Sequence, residues 1–132
     1  MSFDMFVQRF RDGQAALMSP EALHTLFGPH VHSEEPEFHL WTIHAPDGGE
    51  AQVYADTSTS DFSGFVISRF STGLVLDLLV QCARRSDAVI LAPGCPTMIT
   101  SSEQHAQLPE ELRDDARLVQ VAADVEVILK AC

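Results

Sequence analysis

EFHLWTIHAPDGGEAQVYAD, residues 37–56, is the stretch that decides the fold, because it has the pattern of a β-hairpin. In residues 37–44 the side chains alternate with the period of two that is typical of a strand. The two predicted faces of that strand carry Phe38, Leu40 and Thr42 on one side and His39, Trp41 and Ile43 on the other. Residues 46–49, Pro-Asp-Gly-Gly, favour a turn, because proline presets one dihedral and glycine accepts positive φ. Residues 50–56 then return as the second strand.

The elements that follow the hairpin alternate between strand and helix. Residues 62–67 predict a third strand, and residues 72–85 predict a long helix with Ser71 as its N-cap and two arginines in its last turn. The short apolar run at 88–92 is typical of a fully buried strand. Toward the C-terminus we expect an extended piece at 97–100, helical turns at 101–107 and 109–113, a strand at 117–121 and a helix at 124–131.

The residues before the hairpin predict two helices and a loop. From Ser2 as N-cap, Phe3, Phe6, Val7 and Phe10 form one helical stripe, and Gly13 is placed to end that helix. Ser19, Pro20 and Glu21 are typical of the start of a second helix, which Gly28-Pro29 would end. The polar residues 30–36 indicate a loop.

These elements predict a single α+β domain over residues 1–132. A chain of this length is of the commonest size for one domain. Short turns between the early strands imply antiparallel pairing, and the intervening long helix implies a crossover. We therefore expect a mixed, mainly antiparallel sheet of four or five strands with the helices largely on one face.

The charge of the chain restricts its partners. The formal net charge is −11, and residues 1–66 hold ten acidic residues against two arginines. Such a chain repels phosphates and anionic lipid, so we expect no nucleic-acid and no membrane partner. A basic protein is the partner that this charge favours, although an acidic surface also serves solubility alone.

The cysteines and the N-terminus predict a cytoplasmic location. Cys82, Cys95 and Cys132 are odd in number and match no zinc or redox spacing, which indicates a reducing compartment. The first residues lack the basic and apolar regions of a secretory signal. No cofactor is expected.

Two sets of residues have the chemistry of a reactive or metal site. Cys95, in a rigid Pro-Gly-Cys-Pro loop after a buried strand, is a candidate nucleophile with His105 as its base. Against catalysis, no glycine-rich anion loop and no nucleotide, hydrolase or metalloprotease motif is present. His30 and His32 are candidate metal ligands, but no spacing identifies a third ligand, and a solvated loop is the competing interpretation.

The candidate binding residues lie in and around the hairpin. Its acidic side chains would face a basic partner, with an aromatic residue as anchor. The set comprises Glu34, Glu35, Glu37, Trp41, Glu50, Tyr54, Asp56 and Asp61. If helices cover one sheet face only, the other would expose His39, Trp41 and Ile43, which predicts an interface through that face, either with a second copy in a homodimer or with another protein. The competing expectation is that a terminal helix covers it.

Five segments resemble a group of short uncharacterised bacterial α+β proteins, some of them similar to the immunity partners of toxins. They are SFDMFVQRFRDG (2–13), GGEAQVYAD (48–56), LVLDLLVQCA (74–83), VILAPGCPT (89–97) and LPEEL (108–112). The resemblance implies a stand-alone α+β protein that acts by binding another protein, and it brings no catalytic residues.

The function that we predict is therefore a non-enzymatic, acidic interaction domain of the immunity or inhibitor type. The alternative is a small-molecule-binding protein or an enzyme that uses a pocket near Cys95.

Overall fold

A computed structural model of the chain describes residues 4–132 and shows an α+β fold. Its strands are β1 (Met5–Gln8), β2 (Phe10–Arg11), β3 (Gln14–Ala15), β4 (Val31–Glu35), β5 (Leu40–His44), β6 (Glu50–Tyr54), β7 (Gly64–Ser68), β8 (Val89–Leu91), β9 (Met98–Ile99) and β10 (Arg117–Leu118). Its α-helices are α1 (Glu21–Phe27), α2 (Leu74–Arg85) and α3 (Ala122–Ala131). Short 3-10 helices occupy Gly28–His30, Pro36–Phe38, Ser102–Gln107 and Glu110–Leu112.

The main sheet has eight strands in the order β10-β9-β8-β1-β7-β6-β5-β4. Among the described residues its neighbours are antiparallel except for β9 and β10, so the predicted mixed and mainly antiparallel sheet is confirmed. The predicted number of four or five strands is wrong. The difference comes from strands at 5–8 and 31–35 that the sequence pattern concealed, and from the short β9, which lies within the extended piece expected at 97–100.

The predicted N-terminal helix is wrong where the structure describes it. Residues 5–8 form β1, which lies between β7 and β8 and pairs with both. Met5 and Val7 are buried while Phe6 between them is exposed, which is the alternation of a strand. Two neighbouring strands satisfy the backbone of β1 on both edges and override the helical spacing of its apolar residues. The predicted N-cap Ser2 lies outside the described residues.

The hairpin, the third strand and the long helix are confirmed, with three local differences. The predicted loop 30–36 is a strand, β4, because its backbone pairs with β5. β5 begins at Leu40 and not at residue 37, because a 3-10 turn precedes it and His39 is left-handed at φ 52°. Ser71 does not cap α2; its Oγ accepts a hydrogen bond from the Glu50 N–H instead.

One face of the sheet carries the main core. Cross-strand partners point to the same side of a sheet, so the pairs Trp41–Val53 and Ile43–Ala51 place these side chains on one face. Ile43, Val53 and Ala51 are buried there together with residues of α1, α2 and α3. The prediction that Trp41 and Ile43 lie on an open face is therefore wrong.

The opposite face carries a row of apolar side chains across five strands. The register joins Leu40, Tyr54, Val66, Phe6 and Leu91 in that order. At the β8 end a second, smaller cluster of Val89, Ile99 and Leu108 covers this face. In the middle Phe6 and Tyr54 remain 40% and 38% exposed, so part of the face is open to solvent.

Candidate functional site

The predicted binding residues separate into three groups. Glu34, Trp41 and Asp56 line one cavity of about 290 Å³ on the helix side of the sheet. The register places Glu35 and Tyr54 on the opposite face. The remaining three are exposed and are not among the lining residues: Glu37, Glu50 and Asp61. The structure thus brings together three of the eight.

The strand pairing β4-β5-β6 builds this cavity, which we call the Trp41 cavity. Glu34 of β4 lies opposite Trp41 of β5, and Trp41 lies opposite Val53 of β6, so the three share one face. Ala55, beyond the end of β6, also lines it, and its N–H donates to the carbonyl of His39 at 2.9 Å. The cavity therefore has apolar strand residues beneath a charged rim.

Two contacts hold the indole of Trp41 in place. Its Nε1–H donates to Oε2 of Glu34 at 3.1 Å. The ring of His24, on α1, meets it edge-on with ring centroids 5.2 Å apart. An indole fixed on two sides presents a rigid aromatic surface to the cavity at little further cost in entropy.

Asp56 carries the second carboxylate of the rim. Its Oδ1 accepts hydrogen bonds from the hydroxyl of Ser58 at 2.6 Å and from the Ser58 N–H at 3.2 Å. The Ser58 hydroxyl, more than any other group, lowers the pKa of Asp56 below its ordinary value. Its Oδ2 lies 3.6 Å from Nε2 of His39. Asp56 is therefore an anion at neutral pH, with one oxygen turned toward a histidine.

The arrangement of Ser58, Asp56 and His39 is not that of a nucleophilic triad. In a triad the histidine lies between serine and carboxylate and takes the serine proton. Here the carboxylate lies in the middle, and the serine donates to it. The Ser58 hydroxyl thus contacts the carboxylate and not the His39 ring, and a rim with carboxylates of this kind can bind a cation.

Cys95 is not a free thiol in this structure. It forms a disulfide with Cys132, 37 residues further along the chain. A cavity of about 250 Å³ lies beside it, but its lining is mainly apolar, from Phe6, Leu91 and Leu112 among others, and does not include His105. The prediction of Cys95 as nucleophile and His105 as its base is therefore wrong. The sulfur of Cys95 is bonded to Cys132, and Nε2 of His105 lies 3.0 Å from the carbonyl oxygen of Arg113.

The two candidate metal ligands, His30 and His32, do not belong to a group of side chains that could hold a metal ion among residues 4–132. His30 is in the turn before β4, and the His32 ring stacks on that of His44 with centroids 3.9 Å apart. Within residues 4–132 no three side chains of His, Cys, Asp or Glu are placed to hold a metal ion. The pair therefore finds no third ligand in this part of the chain.

Two further findings concern location. The cysteine argument for a reducing compartment fails, because two of the three cysteines pair and leave only Cys82 free. Across residues 4–132, every helix is too short or too polar to cross a membrane.

Sequence reasoning placed His39 beside Trp41 only as part of an open sheet face, and it missed His24 and Ser58, which also line the Trp41 cavity. Asp-Thr-Ser at 56–58 carries a usable signal, since an aspartate often accepts from the backbone two residues on. His24 carries none, because nothing in the sequence indicates that α1 packs against β5.

Comparisons of this chain with protein-family models, with curated proteins and with solved structures find no match.

Proposed function

We propose that this protein is a non-enzymatic, acidic interaction domain that binds a basic protein partner through the Trp41 cavity. The observation that carries the proposal is the convergence of Glu34, Trp41 and Asp56 on one cavity. Two carboxylates beside an aromatic ring form the kind of environment that attracts a lysine or arginine side chain.

The size of the cavity supports a side chain as its occupant. At about 290 Å³ it lies at the lower limit of small-molecule sites, which hold roughly 300–1,000 Å³. A single long side chain suits such a space, and the surrounding surface of a partner would then cover the exposed rim. The net charge of −11 adds a long-range attraction that speeds the encounter with a basic surface.

The resemblance to short bacterial α+β proteins suggests that this binding serves an immunity or inhibitor role. The compartment that we propose is an oxidising one, in place of the cytoplasm expected from the sequence, because the chain forms the Cys95–Cys132 disulfide and disulfides are rare in reducing compartments.

Affinity capture from the native cell with matched variants tests the proposal. We expect a basic partner whose retention falls at least about tenfold for Trp41→Ala and for the pair Glu34→Gln with Asp56→Asn. The control removes the same two charges at exposed Glu110 and Glu111, which lie outside the cavity, and should leave retention within about twofold. Equal capture by all variants, or an acidic partner, would contradict the proposal.

Self-association through the open sheet face is a second candidate. It is based on the exposed apolar row around Phe6 and Tyr54. It is no longer based on Trp41 and Ile43, which lie on the other face of the sheet. The alternative remains a small-molecule site beside Cys95. The structure leaves for it only a mainly apolar pocket without a free thiol. The exposed row favours a protein surface over that pocket.

A further inference from the structure

We infer that the basic partner binds as an added β-strand along the free edge of β4 and places an arginine side chain in the Trp41 cavity. This inference rests on the proposed function and names the segment of the partner and its mode of binding.

The free edge of β4 is the first observation. β4 is the last strand of the sheet, and no other strand in residues 4–132 pairs with its outer edge. Its residues from His32 to Glu35 are all exposed. The pairing of β4 with β5 is irregular between Val31 and Ser33 and regular from Ser33 to Glu35. Along that regular part the outer edge presents N–H and C=O groups that an extended peptide can satisfy as one more strand.

The charges on β4 select which strand can be added. Glu34 points to the helix side and Glu35 to the open side, so both flanks of the edge are negative. A second copy of β4 laid along this edge would bring four carboxylates together, and like charges directly opposite each other destabilise a strand pair. The edge therefore excludes a copy of itself and favours a strand with basic side chains.

The Trp41 cavity supplies the position for one of those side chains. Neighbouring strands lie about 4.8 Å apart, so the added strand would run about 10 Å from β5, with Glu34 between. A side chain that reaches from there to the indole must be long and must pass a carboxylate. Glu34 uses Oε2 to accept from Trp41, which leaves Oε1 for the incoming group.

Arginine fits these demands better than lysine. Its planar guanidinium stacks on an aromatic ring while its N–H groups donate to carboxylates in the same plane. Oε1 of Glu34 is one acceptor on the rim, and Asp56, whose Oδ2 lies 3.6 Å from Nε2 of His39, is the second carboxylate there. Lysine would provide the charge without the stacking geometry.

The probe is a fluorescently labelled seven-residue peptide of alternating valine and arginine, capped at both ends. Its binding is followed by anisotropy and by the emission of Trp41, the single tryptophan of the chain. Two further peptides carry N-methyl groups, one on the valine amides and one on the arginine amides. Only alternate amides of an added strand face β4. We therefore expect one methylated peptide to lose at least about tenfold in affinity and the other to bind like the parent.

Substitutions identify the cavity in the same assay. Replacing arginine by lysine in the peptide should weaken binding about fivefold. Trp41→Ala should weaken it by more than about tenfold, and Trp41→Phe should restore part of the loss, which separates an aromatic contact from a folding defect. Glu110→Gln is the control and should have no effect.

The outcomes separate the two proposals. Equal binding of both methylated peptides would overturn strand addition, and the proposed function would stand if Trp41→Ala still weakened that binding. Equal affinity of arginine and lysine peptides would overturn the choice of arginine. If the parent peptide does not bind, or if Trp41→Ala leaves its affinity unchanged, both proposals fail.

Discussion

Asp47, in the turn between β5 and β6, accepts a hydrogen bond at 3.0 Å from the backbone N–H of Leu74, the first residue of α2. Its second oxygen accepts from the Gly49 N–H at 2.9 Å. Gly73, the residue before Leu74, has φ 79°, and a Cβ at this position would lie 2.8 Å from Oδ2 of Asp47. The hairpin turn thus supplies the N-terminal cap of a helix 27 residues further along the chain and fixes the helix against the sheet.

Removing this carboxylate should destabilise the fold. We expect Asp47→Ala to lower the midpoint of thermal unfolding, because the N–H of Leu74, the first residue of α2, loses its acceptor. Asp61→Ala removes the same charge from an exposed loop and serves as the control. A midpoint no lower for Asp47→Ala than for Asp61→Ala would show that the cap contributes nothing.

The same interaction predicts a pH dependence. The Leu74 N–H first, and the Gly49 N–H next, lower the pKa of Asp47 below its ordinary value. A depressed pKa in the folded state means that the stabilisation is complete above the unfolded pKa of about 3.9 and is lost as the pH falls through the lower, folded value. The stability difference between the protein and Asp47→Asn should be constant at neutral pH and should disappear in acid, as urea titrations at several pH values would measure. A constant difference down to low pH would contradict this.

Gly64 should tolerate no side chain. It begins β7 opposite Gln8, and a Cβ on it would lie 2.2 Å from the Val7 carbonyl oxygen. We expect Gly64→Ala to reduce the free energy of unfolding by more than about 2 kcal/mol in denaturant titration, because the pairing of β1 and β7 must open. Gly28→Ala is the matched control, since its φ is −51° and no atom lies within 4 Å of the added Cβ. Equal effects of the two substitutions would refute the close approach.

The central hairpin, β7 and α2 could be predicted because their signals are local. The turn at 46–49 and the alternation of residues 50–54 need no knowledge of the rest of the chain. β1 could not be predicted, because its apolar spacing fits a helix and only its two neighbouring strands decide otherwise. β4 was concealed by its polar composition, which reflects an edge strand exposed to solvent.

The candidate site was predictable in its residue types and not in its geometry. Trp41 and the acidic residues were identified, but their faces depended on register. The left-handed His39 sets the start of β5 at residue 40, and strand pairing then turns Trp41 toward the helices and Tyr54 away from them. The Cys95–Cys132 pair joins a strand end to the end of α3, a contact that no cysteine spacing indicates.

The disulfide should be detectable by thiol counting and by stability. Without reductant the denatured chain should titrate one thiol, Cys82, and with reductant three. In the native state Cys82 should be unreactive, because it is buried and burial raises its pKa to about 12. Reduction should lower the free energy of unfolding by about 2–4 kcal/mol, the range expected for a closed loop of this length. The variant with Cys95→Ser and Cys132→Ser should not respond to reductant, and three thiols in the unreduced chain would exclude the disulfide.

The open sheet face should control self-association. Phe6 lies within the apolar row, between Val66 and Leu91, so a charge placed there would be buried in a dimer formed through this face. If the face pairs with a second copy, light scattering should show a dimer whose dissociation constant rises at least about tenfold in Phe6→Glu, with an unchanged circular dichroism spectrum. Val127→Glu, on α3, adds the same charge at a site that is 64% exposed and should leave the dimer intact. A protein that stays monomeric at its highest soluble concentration would contradict self-association, and the apolar row would then be left to the partner or to the ligand of the pocket beside Cys95.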